Sequence, residues 1–150
     1  MEQSRPSHEF ERTLTHALTM KNLLIVTALL EAATGVALIL SPTPLVSLLV
    51  GAALDTPGGQ VVARVAGAAL LALGVACWLA RDDVRSGAAH GLVAAMLLYN
   101  GAVVAVLVYA GLGLKLSAVG LWPAVALHVA LALCCGVCLR RTKAQSPTDT

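Results

Sequence analysis

Apolar residues fall into four long runs separated by short polar breaks. The first, NLLIVTALLEAATGVALIL, extends from Asn22 to Leu40 with a single ionisable side chain, Glu31, near its middle. A run of about 18 or more apolar residues reads as a membrane-crossing helix, because about 20 residues at 1.5 Å each traverse a hydrocarbon core of about 30 Å. Three further runs cover residues 60–80, 88–110 and 119–139. Ser41-Pro-Thr-Pro44 ends the first helix, since proline removes a backbone donor and disfavours helix before it. Residues 45–54 are apolar again but too few to span. They predict a short interfacial or re-entrant segment packed on the bundle, or, as the alternative, a first helix that kinks at the prolines and runs on. Asp55-Thr-Pro-Gly-Gly59 is a turn, and Arg81-Asp-Asp-Val-Arg-Ser-Gly87 is a polar link tight enough to make the second and third spans antiparallel neighbours. Gly111 to Ser117 is the next loop, Pro123 sits in the first turn of the last span, where proline is tolerated, and Arg140-Arg-Thr-Lys143 stops that span. The expected fold is therefore all-α: a four-transmembrane-helix bundle over residues 22–141, preceded by a polar segment, 1–21, and followed by a polar tail, 142–150.

In the first segment Phe10, Leu14, Ala17 and Leu18 recur at helical spacing, which predicts a short helix at the membrane interface. Met20, just before Lys21 and the first span, is an alternative start of the chain. A cleavable signal peptide is the weaker reading of the first span: its apolar run exceeds the usual core of about 7–15 residues, and no A-x-A site follows.

Composition sharpens the class. Hydrophobic residues make up 58% of the chain and charged ones 12%, against about 45–50% and about 25% in soluble domains. No soluble domain fits between the runs. The net charge of +2 is too small to point to nucleic acid. The basic residues gather at span ends instead. Arg5, Arg12, Lys21, Arg81, Arg85, Arg140, Arg141 and Lys143 fall on one side, whereas on the other Lys115 stands in a loop and Arg64 just inside the second span. The positive-inside rule then places both termini and the link between the second and third spans in the cytoplasm, an N-in, C-in topology in the cell's inner membrane. Trp78 falls near the inner interface, and Tyr109 and Trp122 near the outer one, as aromatic anchors do.

The buried chemistry starts from Glu31. A carboxylate at a helix centre costs roughly 2.5–3.5 kcal/mol on insertion, and each Leu, Ile or Val returns roughly 0.3–0.6, so the span still inserts. Thr27, Ala28, Thr34 and Gly35 share the face of Glu31, and this small, polar face should look into the bundle. Counted from the outer ends of the spans, Glu31, Asn100 and His128 lie roughly 13–15 Å deep and Arg64 roughly 6 Å, with a side chain long enough to point inward or snorkel outward. One polar residue per span thus reaches the outer-to-middle membrane. Glu31, Arg64, Asn100 and His128 form the candidate intramembrane site, and a Glu31–Arg64 ion pair is expected, with Asn100 and His128 as interhelical hydrogen-bonding groups. Tyr99 neighbours Asn100 but points to a different face. Cys135-Gly-Val-Cys138 is a C-x-x-C and a candidate thiol pair, although cysteines within a helix at the inner leaflet are better read as small apolar packing residues. All four cysteines lie within the spans, which excludes a secreted-type disulfide framework. The His residues are too scattered to set a metal site, and no cofactor or nucleotide motif is present.

The second span is rich in small residues, Ala63, Gly67, Ala72, Gly74 and Ala76, whose spacing lets helices approach closely in lipid. Glu31-Ala-Ala-Thr-Gly35 in the first span, the proline-rich break, Arg64-Val-Ala-Gly67, Leu73-Gly74 and Trp78-Leu-Ala-Arg81 resemble the small, uncharacterised four-span bacterial membrane proteins of the DoxX-like kind. The resemblance covers most of residues 22–141. It implies a four-helix membrane fold in a bacterial inner membrane and carries no reaction. Three functions are consistent with these residues. The leading one is a non-enzymatic accessory or binding module, with membrane lipid as its constant partner and other membrane subunits or a second copy as further candidates. The second is a small transporter or proton-coupled carrier using Glu31, Arg64, Asn100 and His128. The third is a membrane-embedded enzyme acting on a lipid or quinone.

Overall fold

A computed structural model describes the backbone of residues 5–143 and the side chains of residues 19–141. The chain forms α1 (Arg5–Leu40), α2 (Pro42–Val50), α3 (Pro57–Ala80), α4 (Gly87–Val108), a π-helical turn (Tyr109–Gly113) and α5 (Leu121–Lys143). Four segments are long and apolar enough to cross a membrane: Thr19–Leu40, Pro57–Ala80, Gly87–Gly113 and Leu121–Arg141. The protein is an all-helical polytopic membrane protein, with span limits within three residues of those expected from the apolar pattern. α1 begins well before the membrane and continues into it without a break. The apolar face expected at Phe10, Leu14, Ala17 and Leu18 lies outside the residues whose side chains are described, as does the tail from residue 142.

Local sequence sets the element ends. Ser41 leaves helical geometry at φ −145°, and Pro42 opens α2 at a first-turn position, where the missing N–H costs nothing. This resolves the two readings of the segment after the first span: α2 is a separate short helix, not a continuation of α1. It ends at Gly51, whose φ of 71° is the left-handed conformation that glycine adopts without strain. Thr56 caps α3 by accepting from the Gly59 amide at 3.1 Å, and Ser86 caps α4 through the Ala89 amide at 3.1 Å. The third span runs further than its apolar pattern implied. After Val108 the helix widens into a π turn, closed by the Leu114 amide on the Tyr109 carbonyl at 3.0 Å.

The four long helices stand in the cyclic order α1, α3, α4, α5, and their packing is uneven. α1 packs most extensively on α3, and α4 on α5, while the α1–α5 and α3–α4 seams are thin. The short link joins α3 and α4 as antiparallel neighbours, yet the intimate pairs are the other two. Glycine explains the first pair. A Cβ on Gly35 would lie 2.6 Å from the Gly67 carbonyl oxygen, and one on Gly74 2.9 Å from that of Ala28. The α1 and α3 backbones therefore touch directly, an approach that gains dispersion contacts in lipid where no hydrophobic force pulls helices together.

One end of the bundle carries the apolar core. Met20, Leu24 and Ala28 of α1, Cys77 of α3, Val93 and Met96 of α4, and Leu131 and Cys135 of α5 form a buried cluster. Lys21 Nζ donates to Asp82 in the α3–α4 link at 2.6 Å, tying the start of the first span to the same face. α2 lies at the opposite end. It is braced by the Gly120 amide donating to the Leu48 carbonyl at 3.0 Å, and by Gly51, where a Cβ would come within 2.5 Å of the Ser117 carbonyl oxygen.

Candidate functional site

Midway along the spans the two helix pairs meet through polar side chains. Glu31 faces inward from α1 and is 3% exposed. Its Oε2 accepts a long hydrogen bond, 3.4 Å, from the Tyr99 hydroxyl of α4. On the next residue Asn100 is fully buried, and its amide donates to the Met96 carbonyl at 2.7 Å, four residues back in the same helix. That leaves Asn100 Oδ1 as an acceptor, and His128 Nδ1 of α5 lies 2.7 Å from it, so Nδ1 carries the proton in this arrangement. The Tyr99 and His128 rings meet edge to face with centroids 6.0 Å apart. Glu31, Tyr99, His128 and Asn100 thus make one continuous polar layer through α1, α4 and α5. Every buried side-chain nitrogen and oxygen among the described residues has a hydrogen-bond partner, as the high cost of an unpaired polar group in lipid requires.

Arg64 does not join this layer. It is exposed, and its Nη1 lies 3.4 Å from the Gln60 carbonyl oxygen and 3.3 Å from Gln60 Oε1. The expected Glu31–Arg64 ion pair is absent; the ion pairs among the described residues join Asp82 to Lys21 and to Arg81. The reason is depth and reach. Seven residues into its span, the guanidinium turns back along its own helix toward the nearer end, which costs less than carrying its charge inward. Tyr99 takes the place expected of Arg64. Its side chain was expected to leave the Asn100 face, and it does. However, α4 meets α5 beside it and α1 across the bundle interior, so Asn100 meets α5 while Tyr99 reaches toward α1. Depth was the signal available in the sequence, since Tyr99 sits level with Glu31.

The cysteines gather elsewhere, toward the end of the bundle that holds Lys21 and Asp82. Cys77, Cys135 and Cys138 are buried within the apolar cluster, Cys134 is exposed, and none of the four is in a disulfide. Among the described residues no group of His, Cys, Asp and Glu is placed to hold a metal ion. Trp78, with the Arg81 guanidinium 4.0 Å over its ring, and Tyr109 and Trp122 at the other end, all project outward at span ends.

The fold and this layer define a class: a polytopic helical membrane protein whose two tightly packed helix pairs are joined at mid-depth by buried hydrogen bonds. Comparison with protein-family models, curated proteins and solved structures returned no match.

Proposed function

We propose that the protein is a non-enzymatic accessory or binding module of a bacterial inner membrane, with both termini cytoplasmic, and that its polar layer is a structural clasp between the two helix pairs. One observation supports the clasp above others: the Glu31 carboxyl is buried and accepts from the Tyr99 hydroxyl across the bundle interior, joining α1 of one tight pair to α4 of the other. Glu31 is 3% exposed, and the groove on the α4–α5 pair does not include it among its lining residues. The resemblance to DoxX-like proteins agrees with this placement and names no reaction.

The clasp is tested by a double-mutant cycle of Glu31→Ala and Tyr99→Phe, read by unfolding in detergent micelles or bilayers. The expected coupling is about 0.5–1.7 kcal/mol, the range of hydrogen bonds between membrane helices. Glu31→Ala with Arg64→Met should instead be additive. Glu31→Gln keeps an acceptor for Tyr99 and should leave the fold intact. If that variant folds normally but abolishes a proton flux that the wild type drives in liposomes, the carrier reading replaces this one.

A further inference from the structure

The α4–α5 pair carries a groove of about 810 Å³ on its surface. Its floor is open because side chains are missing there: Gly101 and Gly136 line it, and a Cβ built on either would meet nothing within 4 Å. Ala94 and Ala132 continue the wall. Two polar side chains line the groove, His90 and Arg140. Both lie at one end, His90 in the first turn of α4 and Arg140 in the last turn of α5. His90 Nδ1 lies 2.8 Å from the Ser86 carbonyl oxygen, which anchors the ring at the mouth.

We propose that this groove binds one anionic phospholipid, its acyl chains lying against Gly101 and Gly136 and its phosphate on the Arg140 guanidinium, at the mouth that His90 borders. From His90 to Val104 the groove runs about 21 Å at 1.5 Å per residue. That covers one leaflet, about half of a 30 Å hydrocarbon core, together with the headgroup boundary. Its volume lies within the roughly 300–1,000 Å³ of small-molecule sites. The polarity is that of an amphiphile: an apolar trough with a guanidinium and an imidazole at its mouth. The guanidinium fork matches phosphate oxygens, and basic pockets between helices at a membrane boundary select anionic headgroups. A second copy fits less well. A two-fold dimer seated on this face within one membrane would set Arg140 beside Arg140, like charge against like charge. The inference deepens the reading of a binding module by naming its ligand, and rests on that reading only in treating the lipid as bound, not transformed.

The test is native mass spectrometry of the full chain in micelles. It is titrated with phosphatidylglycerol and, separately, with phosphatidylcholine of the same acyl chains. The wild type should retain phosphatidylglycerol about tenfold more strongly, the scale of a charge-assisted contact. Arg140→Gln combined with His90→Gln should remove that preference. Gly101→Leu with Gly136→Leu should reduce retention of both lipids. Arg140→Gln, at an exposed helix end, carries the test alone if the glycine variant does not fold. Equal retention of the two lipids by the wild type, or an undiminished preference in Arg140→Gln with His90→Gln, would overturn the proposal. So would efficient disulfide dimers through Val137→Cys, which would assign the groove to a second copy. Phosphatidylglycerol retained as expected but recovered chemically altered would uphold the groove and remove the non-enzymatic reading instead.

Discussion

Asp82 shows how single charges act at the ends of the spans. It stands in the link between α3 and α4, where Lys21 donates to it at 2.6 Å and Arg81 lies 3.3 Å away. The hydrogen bond from Lys21 is the larger cause that holds its carboxyl below the usual carboxylate range, with the charge of Arg81 adding to it. A carboxyl depressed in the folded state stabilises the fold above its unfolded pKa, and that contribution is lost as pH falls through the lower, folded value. Both partners are substantially exposed, so salt should weaken the effect. Melting midpoints recorded from about pH 6 down to about pH 3 should therefore fall further for the wild type than for Asp82→Asn, and the difference should shrink in high salt. An identical acid profile for the two proteins would mean that the contact does not tie α1 to the link. Glu31 shows the other face of charge in this chain: its burial follows from the small, polar residues around it, whereas its partner does not follow from charge at all.

Glycine decides how the helices meet. Gly35 and Gly67 face one another where α1 crosses α3, and a methyl group on Gly35 would come within 2.6 Å of backbone oxygen, which has no rotamer by which to yield. Gly35→Ala should destabilise the protein by about 1–3 kcal/mol, as overpacking does, measured by unfolding in detergent. Gly91 lies in α4 with nothing within 4 Å of its Cβ position, so Gly91→Ala should be neutral or stabilising by up to about 1 kcal/mol through helix propensity. The contrast between the two variants separates interhelical contact from propensity. The thin α3–α4 seam carries a related lesson: a short link sets the antiparallel direction of two helices but not how closely they pack.

Across the whole molecule, Lys21, the α3–α4 link and the end of α5 share one face, and α2 with the loop after the π turn shares the other. If the basic face is cytoplasmic, a fluorescent protein fused after Thr150 should be bright, and a phosphatase active only outside the cytoplasm should be active when inserted near Gly58. The reverse pattern at either site would turn the molecule over in the membrane. The layer through Glu31, Tyr99, Asn100 and His128 lies between these faces, where α1, from one tight pair, meets α4 and α5 of the other.

The apolar runs by themselves determined the all-helical class, the number of spans and, to within three residues, their limits, because crossing a hydrocarbon core requires a minimum length of apolar helix whatever the helix packs against. Proline and glycine at 41–44 and 55–59 likewise marked the breaks, since their effects are local to the backbone. Depth along each span was also readable, and it put Glu31, Asn100 and His128 at one level. Rotation and neighbourhood were not. Each helix can turn about its axis and choose its partner without changing its length or hydropathy, so only tertiary packing decided that α1 lies against α3 through glycine, that Arg64 turns back to Gln60, and that Tyr99 reaches Glu31. The groove beside Gly101 and Gly136 belongs to the same category: a glycine in a span reads alike whether a helix presses on it, as at Gly67, or nothing does.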